Sequence, residues 1–507
     1  MNRLLLTLFC FFIIVANVYS QVLPREGSKL NYRLIGFSIS DHRITNTSEI
    51  QIASGNQLTE YAFKQNIIKT VTCKAGRAIA EVPSFGENYT WRSVTKNGNK
   101  TTCSELHHFA TSFSAKIDTA ITKLTVTRPC EKYKKAYVFV DESEALFDMD
   151  GHPVWYLPEQ FEGVKGNIRD LKLTSRGTIT FLAVSSAYEI NMDGGILWKA
   201  PDNGIVSGMK TESYHHEFTR LSNGNYMVLG KEMSNASLYN SDKTLKLDTN
   251  GKPMFVPLMR GTVIEYNKKG DVVWSWKSSK YINESDLVNY YSSASGNNIQ
   301  DLHQNSFFFD EKEKMVYVSF KNIDRIIKIK YPEGNVISTY GQLYSEGKQT
   351  GDAKLFCGQH ACKYSQLGCL FLYNNNGCSA GGAPKIKQFR EMNDANHSLE
   401  KLWEYDCPVD VNEKKEFTTG GNVIELPGND LFVCMGGTYS KLFIVGMDKK
   451  LLWSALPEHL DGGNKTWDAM HSYRASIITD TKLLEKFVWS VETKADPRFA
   501  VGQTGRW

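Results

Sequence analysis

The chain has 507 residues, a formal net charge of +4 at pH 7, and 41% hydrophobic and 12% aromatic residues. This composition excludes an intrinsically disordered chain. A net charge this small for the length gives no basis for binding to nucleic acid or to a membrane surface.

The first twenty residues have the pattern of a cleavable secretory signal. Arg3 is followed by an apolar run over residues 4–16, and Val18 and Ser20 stand at the −3 and −1 positions before Gln21. The apolar run is shorter than a membrane span requires. We therefore expect a signal peptide over residues 1–20 and a secreted, extracellular protein without a membrane segment. An N-terminal membrane anchor is the alternative.

Cysteines and glycosylation sequons agree with export. Of the ten cysteines, Cys10 lies in the signal, and an oxidising compartment pairs most of the others. Cys73 and Cys103 stand alone in the N-terminal region, so we predict that they form a disulfide with each other. The C-x-x-C spacing of a zinc ribbon does not occur. The sequons, which are acceptor sites for N-glycosylation, are at Asn46, Asn88, Asn99, Asn235, Asn283, Asn396 and Asn464.

Residues 21–125 predict a small domain of short strands. Alternating segments such as YTWRSVTKNG and SEIQIAS are separated by turn residues, and no long helical period interrupts them. This pattern is typical of a small β-sandwich, similar to a fibronectin type III domain. An irregular β cap on the main domain is the alternative.

Residues 126–507 predict a repetitive all-β domain. A hairpin that ends in Trp alternates with a second hairpin, and six copies of each can be aligned. Two hairpins make a four-stranded blade, and six blades make a six-bladed β-propeller, which exposes little sheet edge. A long β-solenoid is the alternative, although its repeats are shorter and more regular. A tryptophan recurs at the end of this first hairpin in five copies, and the fourth copy has Tyr340 there. The tryptophans are Trp155, Trp198, Trp274, Trp403 and Trp453.

Three histidines occupy the same position in successive copies of the second hairpin. The third copy has a longer turn, and its strand starts at His303. Because innermost strands begin at the central channel of a propeller, we expect these histidines to converge there, with His471 near them. Counting back eight residues from the turn glycines Gly177, Gly224, Gly368 and Gly428 gives Arg169, His216, His360 and Gly420.

Clustered imidazoles support two kinds of chemistry. Three histidines can bind a metal such as zinc with one open position. They can instead act as a nucleophile and as proton carriers, because imidazole titrates near neutrality. Spacing alone leaves both interpretations open. The chain contains no H-E-x-x-H, G-x-S-x-G, Walker or G-x-G-x-x-G motif that would indicate a protease, an esterase or a nucleotide-dependent enzyme.

Several segments resemble the arylsulfate sulfotransferases, which are exported enzymes that use no nucleotide sulfate donor. These segments are YHHEFTRLSNGNYMVLG, DLHQNSFFFDEKEKMVYVSFKNIDRIIKI, GQHACKYSQLGCLFLYNNNG and SYRAS. The resemblance covers most of residues 130–480 and implies a six-bladed propeller with a small β domain in front. It also implies a ping-pong reaction, in which a histidine takes the sulfuryl group from a phenolic sulfate ester and a phenol then accepts it. No cofactor and no metal is implied.

The resemblance also implies a role for each site residue. His360 is the nucleophile, and His216 and His303 bind sulfate oxygens and move the phenolic proton. Lys321 stands where the family has an arginine, so a point charge replaces a planar guanidinium.

Two aromatic residues and two cysteines near these motifs could also shape the site. Tyr214 and Phe308 are candidates for stacking on the aryl group of the substrate. Cys357 and Cys362 flank His360, and a disulfide between them would hold the loop.

The implied partners are an aryl sulfate donor and a phenolic acceptor, and the oligomeric state is left open, with a homodimer as one option. The alternative function is a secreted propeller without catalysis that binds a ligand or a protein. Three histidines in one register favour the enzyme, whereas Lys321 favours the binding protein.

Overall fold

The computed structural model describes most of the chain in two compact units, Met1–Ser112 and Phe113–Trp507. The domain boundary predicted at residue 125 stays a prediction. The predicted signal over residues 1–20, the sequons at Asn46, Asn396 and Asn464, and Cys378 lie outside the described residues. The described residues are 22–39, 47–161, 168–240, 242, 244–283, 287, 300–345, 348–349, 351–352, 355–365, 367–376, 382–393, 398–409, 419–437, 440–463 and 465–499.

The N-terminal unit is a small β-sandwich, as predicted. Its larger sheet has the strand order β1-β8-β6-β3-β4, with β7 also paired to β6, and its second sheet pairs β2 with β5. Phe37 of the second sheet packs against Trp91 and Phe109 of the first, with ring centroids 5.2 and 6.1 Å apart. The elements are β1 (Ser28–Leu30), β2 (Leu34–Ser38), β3 (Thr47–Ser54), α1 (Glu60–Gln65), β4 (Ile67–Thr72), β5 (Arg77–Glu81), β6 (Asn88–Asn97), β7 (Lys100–Cys103) and β8 (His107–Thr111).

The predicted disulfide between Cys73 and Cys103 is wrong, because both cysteines are free thiols. Cys73 directly follows β4, and Cys103 ends β7. Strands β3 and β6 lie between these two strands in the sheet. Since neighbouring strands are about 4.8 Å apart, the two cysteines are separated by roughly twice the distance that a disulfide can bridge.

The second unit consists almost entirely of strands. Its longest described helix, α2 (Thr481–Trp489), has nine residues, and no helix in the described part of the chain has the length and apolarity of a membrane span. Short 3₁₀ helices cover Ala115–Ile117, Glu131–Tyr133, Glu159–Phe161, Ser278–Lys280, Lys321–Ile323, Ser490–Glu492 and Pro497–Phe499. The strands are β9 (Thr122–Arg128), β10 (Tyr137–Val140), β11 (Ala145–Asp148), β12 (Pro153–Tyr156), β13 (Ile168–Leu173), β14 (Ile179–Ala183), β15 (Ser186–Ile190), β16 (Ile196–Lys199), β17 (Tyr214–Arg220), β18 (Tyr226–Ser237), β19 (Phe255–Tyr266), β20 (Val272–Lys277), β21 (Gln300–Asp301), β22 (Gln304–Asp310), β23 (Met315–Phe320), β24 (Arg325–Lys330), β25 (Val336–Gly341), β26 (Tyr344–Ser345), β27 (Lys348–Gln349), β28 (Gln359–Tyr364), β29 (Leu370–Asn374), β30 (Lys385–Glu391), β31 (Leu399–Asp406), β32 (Asn422–Glu425), β33 (Leu431–Cys434), β34 (Leu442–Val445), β35 (Leu451–Leu460), β36 (Trp467–Ala469) and β37 (Ala475–Ile478).

Six antiparallel sheets with four main strands each form this unit. Their orders are β37-β10-β11-β12 (sheet 1), β13-β14-β15-β16 (sheet 2), β17-β18-β19-β20 (sheet 3), β22-β23-β24-β25 (sheet 4), β28-β29-β30-β31 (sheet 5) and β32-β33-β34-β35 (sheet 6). The first strand of each sheet contacts the first strands of both neighbouring sheets, and the cycle returns from β32 to β37. Strand β37, the last of the described strands, thus completes the first sheet. This arrangement is that of a six-bladed β-propeller, as predicted, and it excludes a β-solenoid.

The recurring tryptophans join neighbouring sheets. The indole N–H of Trp155 in sheet 1 donates to the carbonyl oxygen of Met192 in sheet 2 (2.8 Å), and Trp453 of sheet 6 donates to Met149 of sheet 1 (3.1 Å). Where the fourth copy has Tyr340, its hydroxyl bonds instead to the carboxylate of Glu391 in sheet 5. A buried aromatic ring with one polar atom suits this position, because the ring fills the gap between sheets and the N–H or O–H finds a partner.

Candidate active site

The starts of the innermost strands surround one cavity of about 470 Å3. The four predicted site residues all line it, and so do the residues that share their register in sheets 2 and 6. The structure therefore brings together the residues that the repeat alignment placed at equivalent positions. The cavity is lined by Glu142, Arg169, His216, His303, Lys321, His360, Thr419, Gly420, His471 and Tyr473.

Irregular backbone directs the imidazoles into this cavity. Strands β17, β22 and β28 each have a register shift next to their histidine. His216 and His303 adopt positive φ values of 62° and 54°, as does Ala361 after His360 (49°). Such left-handed conformations are uncommon outside glycine and cluster at functional sites. A bulge re-aims a side chain, and here it turns imidazoles toward the channel.

The three imidazoles form a compact cluster. One ring nitrogen of each lies within 4.8 Å of the others. The ring centroids of His216 and His303 are 5.1 Å apart, and those of His303 and His360 are 6.1 Å apart. Three neutral imidazoles at this spacing could hold a divalent metal after small side-chain shifts, with a fourth position open. Geometry alone therefore leaves open both chemistries that the sequence suggested.

His216 has a defined tautomer because His215 lies behind it. The Nε2 atom of His215 bonds to the carbonyl oxygen of Gly230 (3.2 Å), and its Nδ1 lies 2.7 Å from Nδ1 of His216. Burial, together with the charge of Lys231, lowers the pKa of His215 to about 3, so His215 is neutral. A neutral His215 that donates from Nε2 accepts at Nδ1. His216 must then donate from Nδ1, which leaves its Nε2 as an acceptor.

His303 is paired with a carboxylate. Its Nδ1 lies 3.5 Å from Oδ2 of Asp301, whose Oδ1 also accepts the backbone N–H of His303 (2.7 Å). Burial acts against the ionised carboxylate, but these hydrogen bonds prevail and lower the pKa of Asp301. Asp301 therefore stays charged and can stabilise an imidazolium at His303. Asp301 was not among the residues predicted from the sequence, although it stands two residues before His303.

Lys321 is held next to His303 by the backbone. Its N–H donates to the carbonyl oxygen of His303 (2.9 Å), because β23 ends at Phe320 and a 3₁₀ turn begins at Lys321. Burial lowers the pKa of Lys321, while the carboxylates of Asp301 and Asp324 act in the opposite direction. Lys321 thus lines the same cavity as the histidines.

His360 is the most enclosed of the three histidines, with 1% of its surface exposed. Its Nδ1 lies 2.7 Å from Nδ2 of Asn375, which also bonds to the carbonyl oxygens of Gly358 and Gly420 (3.0 and 3.2 Å). Burial, followed by the charges of His303 and Lys321, lowers the pKa of His360 well below the usual range. Asn375 therefore contacts the ring at Nδ1, and the lowered pKa keeps the imidazole neutral at physiological pH.

Tyr473 forms one wall of the cavity. Its ring packs edge-on against His216 and His360, with centroids 5.7 and 6.4 Å apart, and the guanidinium of Arg169 lies 4.2 Å from its centroid. Tyr473 belongs to the SYRAS segment, but nothing in the sequence indicated that it would contact both histidines. Tyr473 is therefore an aromatic wall that the sequence analysis missed.

The two aromatics suggested for stacking do not line the cavity. Tyr214 is buried in the core between sheets 2 and 3, and Phe308 packs on Tyr364.

A disulfide between Cys357 and Cys362 is also excluded. Cys362 is a free thiol, whereas Cys357 is disulfide-bonded elsewhere. Cys362 is buried in the apolar core between sheets 4 and 5, which directs its sulfur away from the loop around His360.

A buried ionic network joins the innermost strands next to the residues that line the cavity. The guanidinium of Arg474 bonds to Glu217 (2.7 Å) and Asp170 (3.1 Å), and it donates to the backbone carbonyl of Asn305 (2.9 Å). Lys363 and Lys172 also bond to Glu217, at 2.7 and 3.1 Å. These residues come from sheets 1 to 5, so the network ties together the strands that carry the histidines.

The family described as Arylsulfotransferase (ASST) matches residues 133–409, which is more than half of the chain. This match includes His216, His303, Lys321 and His360. The chain matches none of the curated proteins.

Several solved structures are similar at low identity. A putative 6-phosphogluconolactonase from Bacteroides fragilis has 11% identity and a TM-score of 0.30, covering 86% of this chain and 99% of its own. AztD from Citrobacter koseri has 9% identity and a TM-score of 0.29, with 86% and 98% covered. The β-propeller domain of Cps50 (Swd1) from Myceliophteria thermophila has 9% identity and a TM-score of 0.30, with 62% and 97% covered. At this level of similarity, no ligand or activity transfers from these proteins.

Proposed function

The chain belongs to the arylsulfotransferase family, and we propose that its three-histidine cavity transfers a sulfuryl group from a phenolic sulfate ester to a phenol through a sulfohistidine. The observation that carries this proposal is the neutral, enclosed imidazole of His360, with two further imidazoles and a lysine around it. A neutral imidazole has the lone pair that a nucleophile requires.

In the first half-reaction, Nε2 of His360 attacks the sulfur atom and the bond from sulfur to the phenolic oxygen breaks. This role requires the proton of the neutral His360 ring at Nδ1, with the Gly358 carbonyl as its acceptor, while the two N–H groups of Asn375 Nδ2 donate to the carbonyl oxygens of Gly358 and Gly420 and not to Nδ1. The Nε2 lone pair is then free. The departing phenolate takes a proton from the imidazolium of His303, which Asp301 stabilises.

In the second half-reaction, a phenol enters and gives its proton to His303 as its oxygen attacks sulfur. The bond between Nε2 and sulfur breaks, and both histidines return to their starting states. The free Nε2 of His216 can accept a hydrogen bond from the incoming hydroxyl and orient it. Lys321 places a positive charge near the sulfuryl oxygens, whose negative charge is spread in the transition state.

We also propose that the protein is secreted, with residues 1–20 removed as a signal peptide. The charged Arg3, the apolar run over residues 4–16 and the small residues at −3 and −1 before Gln21 support this assignment. Expression of the full chain in secretory cells should deliver protein to the medium with Gln21 as its first residue, read by N-terminal mass spectrometry. Retention in the membrane fraction with an intact Met1 would support an anchor instead.

The transferase proposal is tested with 4-nitrophenyl sulfate as the donor and phenol as the acceptor. We expect nitrophenolate release that requires phenol, persists in a chelator and disappears in His360→Ala. The matched control is His152→Ala, because His152 is 68% exposed and lies outside the cavity. Donor alone should leave one sulfuryl group on the peptide that contains His360, detected by mass spectrometry under alkaline conditions.

Two outcomes contradict this proposal. Release that a chelator abolishes would indicate metal chemistry at the three imidazoles. No release from folded protein across a panel of aryl sulfates would instead favour a propeller that binds a ligand without catalysis.

A further inference from the structure

Arg169 contributes a cationic side chain to the lining of the cavity. It occupies in sheet 2 the register position that histidine occupies in sheets 3 and 5. Its guanidinium lies over the Tyr473 ring, and it makes no ion pair or side-chain hydrogen bond with another described residue. By contrast, the nearby cations Lys172, Lys363 and Arg474 are all paired with carboxylates. An unpaired guanidinium in a cavity is available to a ligand.

Tyr473 has an unused polar group at the same place. The residue is 7% exposed, and its hydroxyl has no hydrogen-bond partner among the described residues. A buried hydroxyl without a partner costs free energy unless a ligand or water satisfies it. The Tyr473 ring separates Arg169 from His216 and His360, so the free guanidinium lies about one aromatic ring away from the imidazoles.

We propose that Arg169 and the Tyr473 hydroxyl form a second anion subsite, which binds a carboxylate carried on the phenolic ring of the substrate, remote from the reacting oxygen. This inference rests on the proposed function. A guanidinium recognises a carboxylate through two parallel N–H donors, and the phenolic hydroxyl adds a third donor. Lys321 is instead held beside His303, through a backbone hydrogen bond of 2.9 Å. Separate cations beside Tyr473 and beside His303 therefore favour an acceptor that carries an anionic group in addition to its hydroxyl.

Glu142 is the carboxylate that opposes this assignment, because it lines the same cavity. Burial raises the pKa of Glu142, with the charges of His471 and Arg169 acting in the opposite direction. Glu142 is one carboxylate in the lining, against the two cations Arg169 and Lys321. Thus Arg169 and Lys321 outweigh it in the charge balance of the cavity.

The test compares phenol with 4-hydroxybenzoate as acceptors, with 4-nitrophenyl sulfate as the donor. We expect the native enzyme to have the lower KM for 4-hydroxybenzoate. Arg169→Ala should raise that KM about 10- to 100-fold, the worth of a charge-assisted bidentate contact, and should leave the KM for phenol within about 2-fold. The KM of Arg169→Lys for 4-hydroxybenzoate should lie between those of the native enzyme and of Arg169→Ala, because lysine keeps the positive charge but loses the two parallel N–H donors of the guanidinium.

The matched control is Arg176→Ala, an exposed arginine in the turn of the same hairpin, which should change neither KM. Calorimetric binding of 4-hydroxybenzoate to His360→Ala, with and without Arg169→Ala, tests the subsite without turnover. If the native protein transfers to phenol but Arg169→Ala affects both acceptors equally, the subsite is overturned and the transferase stands. If nothing is transferred but Arg169-dependent binding persists, the transferase fails and the subsite stands.

Discussion

The chemistry at the residue scale depends on keeping the nucleophilic imidazole of His360 neutral inside a cationic cavity. A charged imidazole is penalised by burial and again by its cationic neighbours, and both effects act on His360 in the same direction. A solvent-exposed histidine has a pKa near 6.5 and would be partly protonated, and thus inactive as a nucleophile, in mildly acidic solution. The enclosure of His360 therefore serves nucleophilicity as well as exclusion of water.

This enclosure predicts an acid-tolerant reaction. Because the pKa of His360 lies well below 6.5, its lone pair persists as the pH falls through the ordinary range of histidine. We expect kcat/KM for 4-nitrophenyl sulfate to stay constant as the pH is lowered through 6.5 and to fall only at a clearly lower pH. The released nitrophenolate is measured after each reaction is quenched into alkali. Lys321→Met should move the acid limb to higher pH, since it removes one cause of the lowered pKa. An acid limb centred at 6.5 in both proteins would contradict this account.

The lysine at position 321 gives a second prediction at this scale. Lys321→Ala should lower kcat about 100- to 1000-fold, the usual effect of removing one donor to a developing oxyanion. Lys321→Arg should keep or raise the rate, because a guanidinium can contact two sulfuryl oxygens. Lys312→Ala is the matched control, since Lys312 is 90% exposed in the turn at the far end of the same hairpin. Equal rates for all three variants would remove Lys321 from the mechanism.

At the scale of elements, the buried ionic network decides how precisely the innermost strands are held. The carboxylate of Glu217 forms ion pairs with three cationic side chains and has 1% of its surface exposed. The three partners are Lys172, Lys363 and Arg474. Burial alone would raise the pKa of Glu217, but Arg474, Lys363 and Lys172 together lower it. Arg474 lies one residue from Tyr473, and Glu217 one residue from His216. The network therefore connects the stability of the strands to the position of the cavity wall.

Breaking this network should be costly. Glu217→Gln should lower the free energy of unfolding by about 3–5 kcal/mol, measured by urea titration, because Lys363 loses its carboxylate partner and Arg474 and Lys172 keep only Asp170. The lowered pKa means that this stabilisation is present above the unfolded-state pKa near 4.5 and is lost as the pH falls through the folded-state value. The difference between the two proteins should therefore shrink in acid. Glu400→Gln, in the exposed pair with Arg390, should cost less than about 1 kcal/mol.

At the scale of the whole molecule, closure of the propeller positions every group in the site. Strand β37 pairs with β10, and the segment before it contributes His471 and Tyr473 to the cavity and Arg474 to the ionic network. Trp453 also links sheet 6 to sheet 1, because its indole N–H donates a hydrogen bond to the carbonyl oxygen of Met149. The ends of this unit are thus joined by a strand pair and by an aromatic hydrogen bond.

The closing tryptophan can be tested by a conservative change. Trp453→Phe keeps an aromatic ring but leaves the Met149 carbonyl without its donor. We expect it to lower the free energy of unfolding by about 1–3 kcal/mol more than the same substitution at a buried tryptophan whose N–H makes no hydrogen bond. Trp276→Phe is the matched control, because Trp276 is also buried and its indole N–H has no partner in the described part of the chain. Equal destabilisation of the two variants, by thermal unfolding, would show that the hydrogen bond adds nothing to closure.

Much of this architecture was readable from local pattern. Alternating apolar residues, turn glycines and a recurring tryptophan predict hairpins, and their sixfold repetition predicts the propeller, because each blade depends on contacts within one repeat. The register of Arg169, His216, His360 and Gly420 likewise follows from counting within one hairpin. These residues do line one cavity.

Contacts between distant segments were decided only by the closed fold. Among three consecutive asparagines, Asn374 bonds to Cys357, Asn375 lies against His360 and Asn376 bonds to Ala383, and no pattern in the sequence distinguishes them. The cysteines show the same limit, because spacing suggested a disulfide that two intervening strands prevent. Periodicity records which face of a strand is buried, whereas a side-chain partner depends on where closure brings residues that lie hundreds of positions apart.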